Sequence, residues 1–137
     1  MGVTVLDAGV VIGFLDSGDT HHASAHKALR DARDRGDGLV LPASSFAEVL
    51  VGPSRRGAKA VSTVRDFVHR LPVAVHPLDE DIACAAAALR ARHASIKLPD
   101  ALVIATAGVL GADHLVTTDH RWPTRGKLKI AATLEIL

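Results

Sequence analysis

The chain has 137 residues, 48% hydrophobic and 23% charged, with a formal net charge of +1. That length fits one domain, residues 1–137, with room for a full core, and so even a charge balance neither demands nor excludes a nucleic-acid partner. The single cysteine, Cys84, excludes an internal disulfide and a cysteine-built zinc cage.

Aromatic residues make up only 3%, so the core is expected from Ala, Val, Leu and Ile. Cys84 lies in an Ala-rich helical run and is expected to be an inert core thiol. The chain enters a strand pattern at once, without the charged and apolar regions of a signal peptide. No apolar run reaches the ~18 residues that span a bilayer. A cytoplasmic location with no membrane partner is therefore expected.

Val3, Thr4, Val5 and Leu6 read as a short apolar strand ending at Asp7, with a short helix over residues 10–15. In open α/β sheets, ligands bind outside the carboxyl ends of the strands. Asp7 is thus placed for chemistry, although it also suits a helix N-cap. Residues 20–35 have helical periodicity. His22 and His26 stand four apart in it, a spacing that can present two metal ligands. No third ligand is legible beside them, so they read as incidental to a half-exposed face.

A second strand, residues 39–41, ends at Pro42, and a helix begins near Ser44. Ser45 and Glu48 have the spacing of a capping box, in which the Glu reaches back to the cap N–H. The other reading points Glu48 inward, toward the end of the first strand. Gly52-Pro53 is expected to break this helix. The next helix, residues 55–70, has Val61, Val64, Phe67 and Val68 at core spacing. Its basic residues read as a solvated face, or as a flank for phosphate contacts that position a nucleic acid without reading it.

A third strand covers residues 73–75, and Asp79-Glu80-Asp81 caps and opens a helix over residues 82–93. Pro99 and Asp100 then suit the first turn of another helix. The ten residues 101–110 carry no charge, so that helix is too apolar for a surface. Gly111 ends it, and Leu115-Val116-Thr117 reads as a strand leading to Asp119. A basic turn with Arg125, Lys127 and Lys129 precedes a possible edge strand at residues 130–132. Strands alternating with helices imply an α/β fold: three α/β/α layers around a parallel sheet of four to five strands.

In such a sheet Asp7, Glu48, Asp100 and Asp119 can converge on one edge. Two like charges about 4 Å apart repel by roughly 4 kcal/mol at an effective dielectric near 20. Either some acids are protonated or a cation sits among them. Oxygen ligands without cysteine favour Mg²⁺ or Mn²⁺, which activate water and stabilise an in-line phosphoryl displacement. The inferred chemistry is metal-dependent phosphodiester hydrolysis. Competing motifs are missing: there is no GxxxxGK[ST] loop and no GxGxxG fingerprint. Asp7-Ala8-Gly9 lacks the second acid of a phosphoacceptor pair.

The segments VLDAGVVIGFL, SSFAEVL, LPDALVIATA and LVTTDHRW, in this order, resemble the PIN-domain family, and most closely the toxin ribonucleases of type II VapBC toxin–antitoxin modules. The resemblance implies a parallel sheet between helices, Mg²⁺- or Mn²⁺-dependent cleavage of RNA, a homodimer and silencing by a small antitoxin. It implies Asp7, Glu48, Asp100 and Asp119 as the catalytic acids. Asp7, Asp100 and Asp119 would be on the metal, with Glu48 handling the attacking water. Thr117 is a supporting hydroxyl, and Arg121 becomes a candidate for substrate phosphate. Glu48 shifts from cap to ligand. Ala8 stands where the family usually has Ser or Thr, and Gly9 where Ser or Asn is common, so Thr117 or water must supply the missing hydroxyl contact. The alternative function is a PIN-fold binding module, weakly active or inactive, working through protein partners.

Overall fold

The computed structural model describes residues 2–137. Strand β1 (Val3–Leu6) is its axis, flanked by β2 (Gly38–Pro42) and β4 (His114–Thr117). β3 (Val73–His76) pairs beyond β2, and β5 (Thr133–Ile136) beyond β4. All five strands are parallel, in the order β3-β2-β1-β4-β5. Parallel strands require covered faces and hence apolar side chains on both. Val5 and Leu6 of β1 are both fully buried. The pleat sends Val5 and Leu115 into one core, and Leu6 and Val116 into the other.

The first core lies under α5 (Glu80–Arg92), α6 (Leu98–Val109) and the short α7 (Arg125–Leu128). The second lies under α1 (Ala8–Leu15), α2 (His22–Asp34), α3 (Ala43–Arg56) and α4 (Ala58–Arg70). The result is the expected three-layer α/β/α architecture. Each large apolar side chain sealed in these layers contributes ~1.5–3 kcal/mol. Asp79 caps α5, its Oδ1 accepting from the Ile82 N–H at 2.9 Å, as its position after a strand implies. Among the described residues no helix is long and apolar enough to cross a membrane.

Several local expectations fail. Gly52-Pro53 does not end α3, which continues to Arg56. Proline costs one backbone hydrogen bond, but Val49 and Pro53, four apart, are buried on the same face. Packing therefore overrides the local signal. The stop is Gly57, whose φ of 117° and ψ of 175° lie where only glycine rests without strain.

The Ser45–Glu48 capping box does not form. β2 extends to Pro42, so α3 begins at Ala43 and Ser45 lies buried inside the first turn. Glu48 is thereby free of a capping role. Cys84 is exposed rather than in the core. α5 buries Ile82, Ala86 and Leu89, and a residue two positions from Ile82 and Ala86 projects from the opposite side. Phe67, expected in the core, is 42% exposed. The edge strand lies three residues later than expected. Leu128 and Ala132 are buried, which holds the intervening loop down until β5 starts at Thr133, where the N–H donates to the Asp113 carbonyl.

Candidate active site

Asp7 stands at the carboxyl end of β1 and is the N-cap of α1. Its Oδ1 accepts from the Ala8 N–H at 2.8 Å, and its Oδ2 from the Thr117 hydroxyl at 2.7 Å. Thr117 is the last residue of β4 and is fully buried. Its Oγ1 also accepts from the Asp119 N–H at 3.1 Å. One hydroxyl thus ties the ends of two neighbouring strands. Burial pushes the Asp7 carboxyl up. The bonds from Thr117 and Ala8 oppose this, and the charges of Asp100 and Asp119 add to it.

Asp100 sits in the first turn of α6, just after Pro99. Burial raises its pKa, as does the Asp119 charge, against the lowering influence of Trp122, Arg121 and Lys97. The Trp122 indole N–H is close enough to Asp100 to be felt, yet it is buried and makes no hydrogen bond of ordinary geometry. Glu48, in the second turn of α3, is raised by partial burial and then by Asp7 and Asp100. The structure therefore brings the four acids into one electrostatic cluster.

Asp119 differs. The Arg121 guanidinium grips it with two bonds of 3.0 Å, and the Arg121 backbone N–H donates at 2.9 Å. The guanidinium bonds above all, with the backbone bond and the Arg121 charge, hold its carboxyl below the usual range against the opposing effect of burial. The Arg121 side chain is 81% exposed, and such ion pairs contribute little and open readily. Arg121, a candidate for substrate phosphate from sequence, is here the counter-charge of an acid.

The opposite sheet edge offers a contrast. Asp37 is also pushed up by burial, but hydrogen bonds from Thr4 and Arg35 outweigh it and leave its pKa lowered. That carboxylate is structurally satisfied. Asp7, Glu48 and Asp100 remain raised, because burial and like charge dominate. An all-oxygen donor set that resists its own ionisation fits a hard divalent cation. Among the described residues, no three His, Cys, Asp or Glu side chains are yet drawn close enough to hold an ion.

Gly9 has its own reason. A Cβ there would run into the Thr118 hydroxyl, so Thr118 occupies the space that a Ser or Asn side chain at position 9 would need.

Sequence reasoning missed two features. The first is a groove of about 920 Å³ on the α1–α4 side, with Ile12, Phe14, Val49, Pro53, Val64 and Phe67 in its lining. Glu48 stands on its wall, as do His22, His26 and Arg56. Four helices build it, so no linear pattern announces it. The histidines serve its packing. His22 Nδ1–H donates to the Gly13 carbonyl at 2.8 Å, and the His26 ring stacks on Phe14 at 4.0 Å. The second is a cleft of about 90 Å³ between Asp100 and Asp119, walled by Lys97, Arg121 and Trp122. Trp122 closes the LVTTDHRW segment, but nothing in that segment signals where its N–H points.

No curated protein matches the chain. Solved structures similar to it include the VapBC2 complex of Rickettsia felis bound to a promoter DNA fragment. That likeness has a TM-score of 0.74 at 16% identity, covering 98% of each chain. A toxin–antitoxin complex from Klebsiella pneumoniae has a TM-score of 0.65 at 23% identity, covering 86% of this chain and 88% of that one. The sarcin-ricin-loop-cleaving toxin VapC20 of Mycobacterium tuberculosis has a TM-score of 0.67 at 17% identity, covering 86% and 91%. At these identities the likeness is one of fold. The sequence itself carries the assignment: the PIN domain family model matches residues 4–128, from the first strand through the last helix. The chain belongs to the PIN domain family.

Proposed function

We propose that this protein is a divalent-metal-dependent endoribonuclease, the toxin of a type II toxin–antitoxin pair, with the whole chain acting as one PIN domain. The observation that carries the reading is the cluster of Asp7, Glu48, Asp100 and Asp119, three of which are held above their ordinary pKa by burial and by one another. Membership of the PIN family and a fold shared with toxin–antitoxin proteins support it.

Asp7, Asp100 and Asp119 would hold Mg²⁺ or Mn²⁺. When bound, the ion supplies activation of water and stabilisation of charge at the phosphorus. Thr117 fixes the Asp7 carboxylate through its hydroxyl. Glu48, on the groove side, orients the attacking water and takes its proton, and its raised pKa suits that task. Arg121, released from Asp119, turns to a substrate phosphate, for which a guanidinium fork is well matched.

The test is cleavage of a labelled RNA with Mg²⁺ or Mn²⁺ and with excess chelator. Metal-dependent cleavage is expected, and undiminished cleavage in chelator would sink the reading. A second reading, an inactive binding module, is favoured by one observation: Arg121 already neutralises Asp119. Calorimetry separates the two, since an inactive site gives no heat with Mn²⁺.

The partner in this proposal is a small antitoxin whose apolar segment lies in the α1–α4 groove beside Glu48, silencing a toxin homodimer. Phe67 is the exposed anchor of that groove. Phe67→Asp is expected to weaken antitoxin binding at least about tenfold, as for other buried aromatic anchors, with RNA cleavage by the free toxin retained. Unchanged affinity by calorimetry would remove the groove as the docking seat.

A further inference from the structure

Trp122 is 7% exposed, and its ring is packed into the core formed with α5 and α6. That packing leaves the indole little freedom to turn. Its Nε1 is nevertheless the one buried side-chain nitrogen or oxygen without a hydrogen-bond partner among the described residues. Buried donors are almost always paired, and an unpaired one marks either strain or a role.

The indole is part of the wall of the small cleft that Asp100 and Asp119 line. Asp119 is already engaged three times by Arg121. Among the described residues Asp100 forms no side-chain hydrogen bond of standard geometry, although it stands within the indole's influence. A packed donor without a partner and a carboxylate without a side-chain hydrogen bond therefore line one cleft. Phenylalanine would fill the same core space, but only an indole supplies a donor there.

We infer that Trp122 is a positioning residue of this site: its indole N–H seats the Asp100 carboxylate in the orientation in which it would hold the cation. The inference rests on the proposed metal-site role of Asp100. The chemistry has a general form. Carboxylates that hold metals are themselves oriented by outer donors, and losing such a donor typically costs 10–100-fold in metal affinity. Trp122 qualifies because its position is set by packing and not by the ion.

Trp122 is the only tryptophan in the chain, so its indole N–H gives a single resonance in a ¹H–¹⁵N spectrum of the intact protein. Titration with Mg²⁺ is expected to move that resonance downfield and saturate with the metal, as the N–H bonds to a carboxylate. In Asp100→Asn the movement should vanish. Trp122→Phe should weaken Mn²⁺ binding about tenfold by calorimetry while the melting temperature stays within a few degrees. Heat of Mn²⁺ binding in the wild-type protein with an unmoved indole resonance overturns the inference and leaves the metal site standing. A resonance that moves only when RNA is added also overturns it, since the donor would then belong to a phosphate. No heat in the wild-type protein overturns both the metal site and the inference. The wild-type spectrum decides the matter even if Trp122→Phe does not fold.

Discussion

Replacing Asp100 with Asn is expected to lower metal-dependent RNA cleavage by at least about a hundredfold, because outer-shell changes alone cost 10–100-fold and in the proposed mechanism Asp100 would hold the metal itself. Asn keeps the shape and loses the charge. The fold should survive, because two opposed effects act at this position. A negative charge in the first turn of α6 gains ~0.3–1 kcal/mol from the helix N-terminus. Against that, the ionised form of Asp100 is disfavoured by burial and by Asp119. The metal-free stability of Asp100→Asn should therefore lie within about 1 kcal/mol of wild type, in the range of ordinary surface changes. Single-turnover cleavage of a labelled RNA and a thermal melt, run on one preparation, check both halves. Full activity in a folded variant would remove Asp100 from the mechanism.

The second large effect is a reversal of pH dependence by metal. In chelator, stability should fall as pH rises from about 4 toward neutrality. Asp7, Glu48 and Asp100 have folded-state pKa values above their ordinary ones. Above the ordinary value the unfolded chain has released these protons while the folded chain retains them, so unfolding becomes progressively easier. Their contribution is complete below the unfolded pKa and is lost as pH rises through the folded one. Asp31, Asp37 and Asp119 are shifted downward. Their opposite contribution disappears only as pH falls below the ordinary carboxylate range, so it does not cancel the trend.

A bound cation removes the penalty by taking the place of the protons. Mg²⁺ at a hundred times its dissociation constant should add about 2.7 kcal/mol, roughly 10 °C in melting temperature for a domain of this size. The gain should grow with pH, since the ion competes with protons for the same oxygens. Melts between about pH 4.5 and 7.5, with chelator and with Mg²⁺, test this. A slope of the same sign and size in both series would deny the acids a common cation.

The fold was legible where one residue decides one local structure. Asp79 after a strand caps α5, Pro99 and Asp100 open α6, and the uncharged run that follows is buried over most of its length, from Ala101 to Ala107, although Val109 at its end is exposed. It was illegible where two elements compete for a residue. Pro53 breaks a helix in isolation, yet it is held inside one by the surface that Val49 shares with it. Ser45 has the spacing of a cap but lost the position when β2 ran on to Pro42. Cys84 has the composition of a core residue around it and the helical phase of an exposed one.

The sequence by itself determined that Asp7 and Asp119 follow strand ends and that Asp100 opens a helix, because these are local properties; Glu48, one turn into its helix, became a candidate only beside the other three and through the family resemblance. Only the tertiary structure decided what surrounds each one. The order β3-β2-β1-β4-β5 sets Thr117 against Asp7 across neighbouring strands. A turn of two residues folds Arg121 back onto Asp119. Packing against α5 and α6 fixes the Trp122 ring with its N–H unpaired beside Asp100. Charge, burial and donor geometry at a site are sums over neighbours that are distant in the chain, and those sums exist only once the sheet has formed.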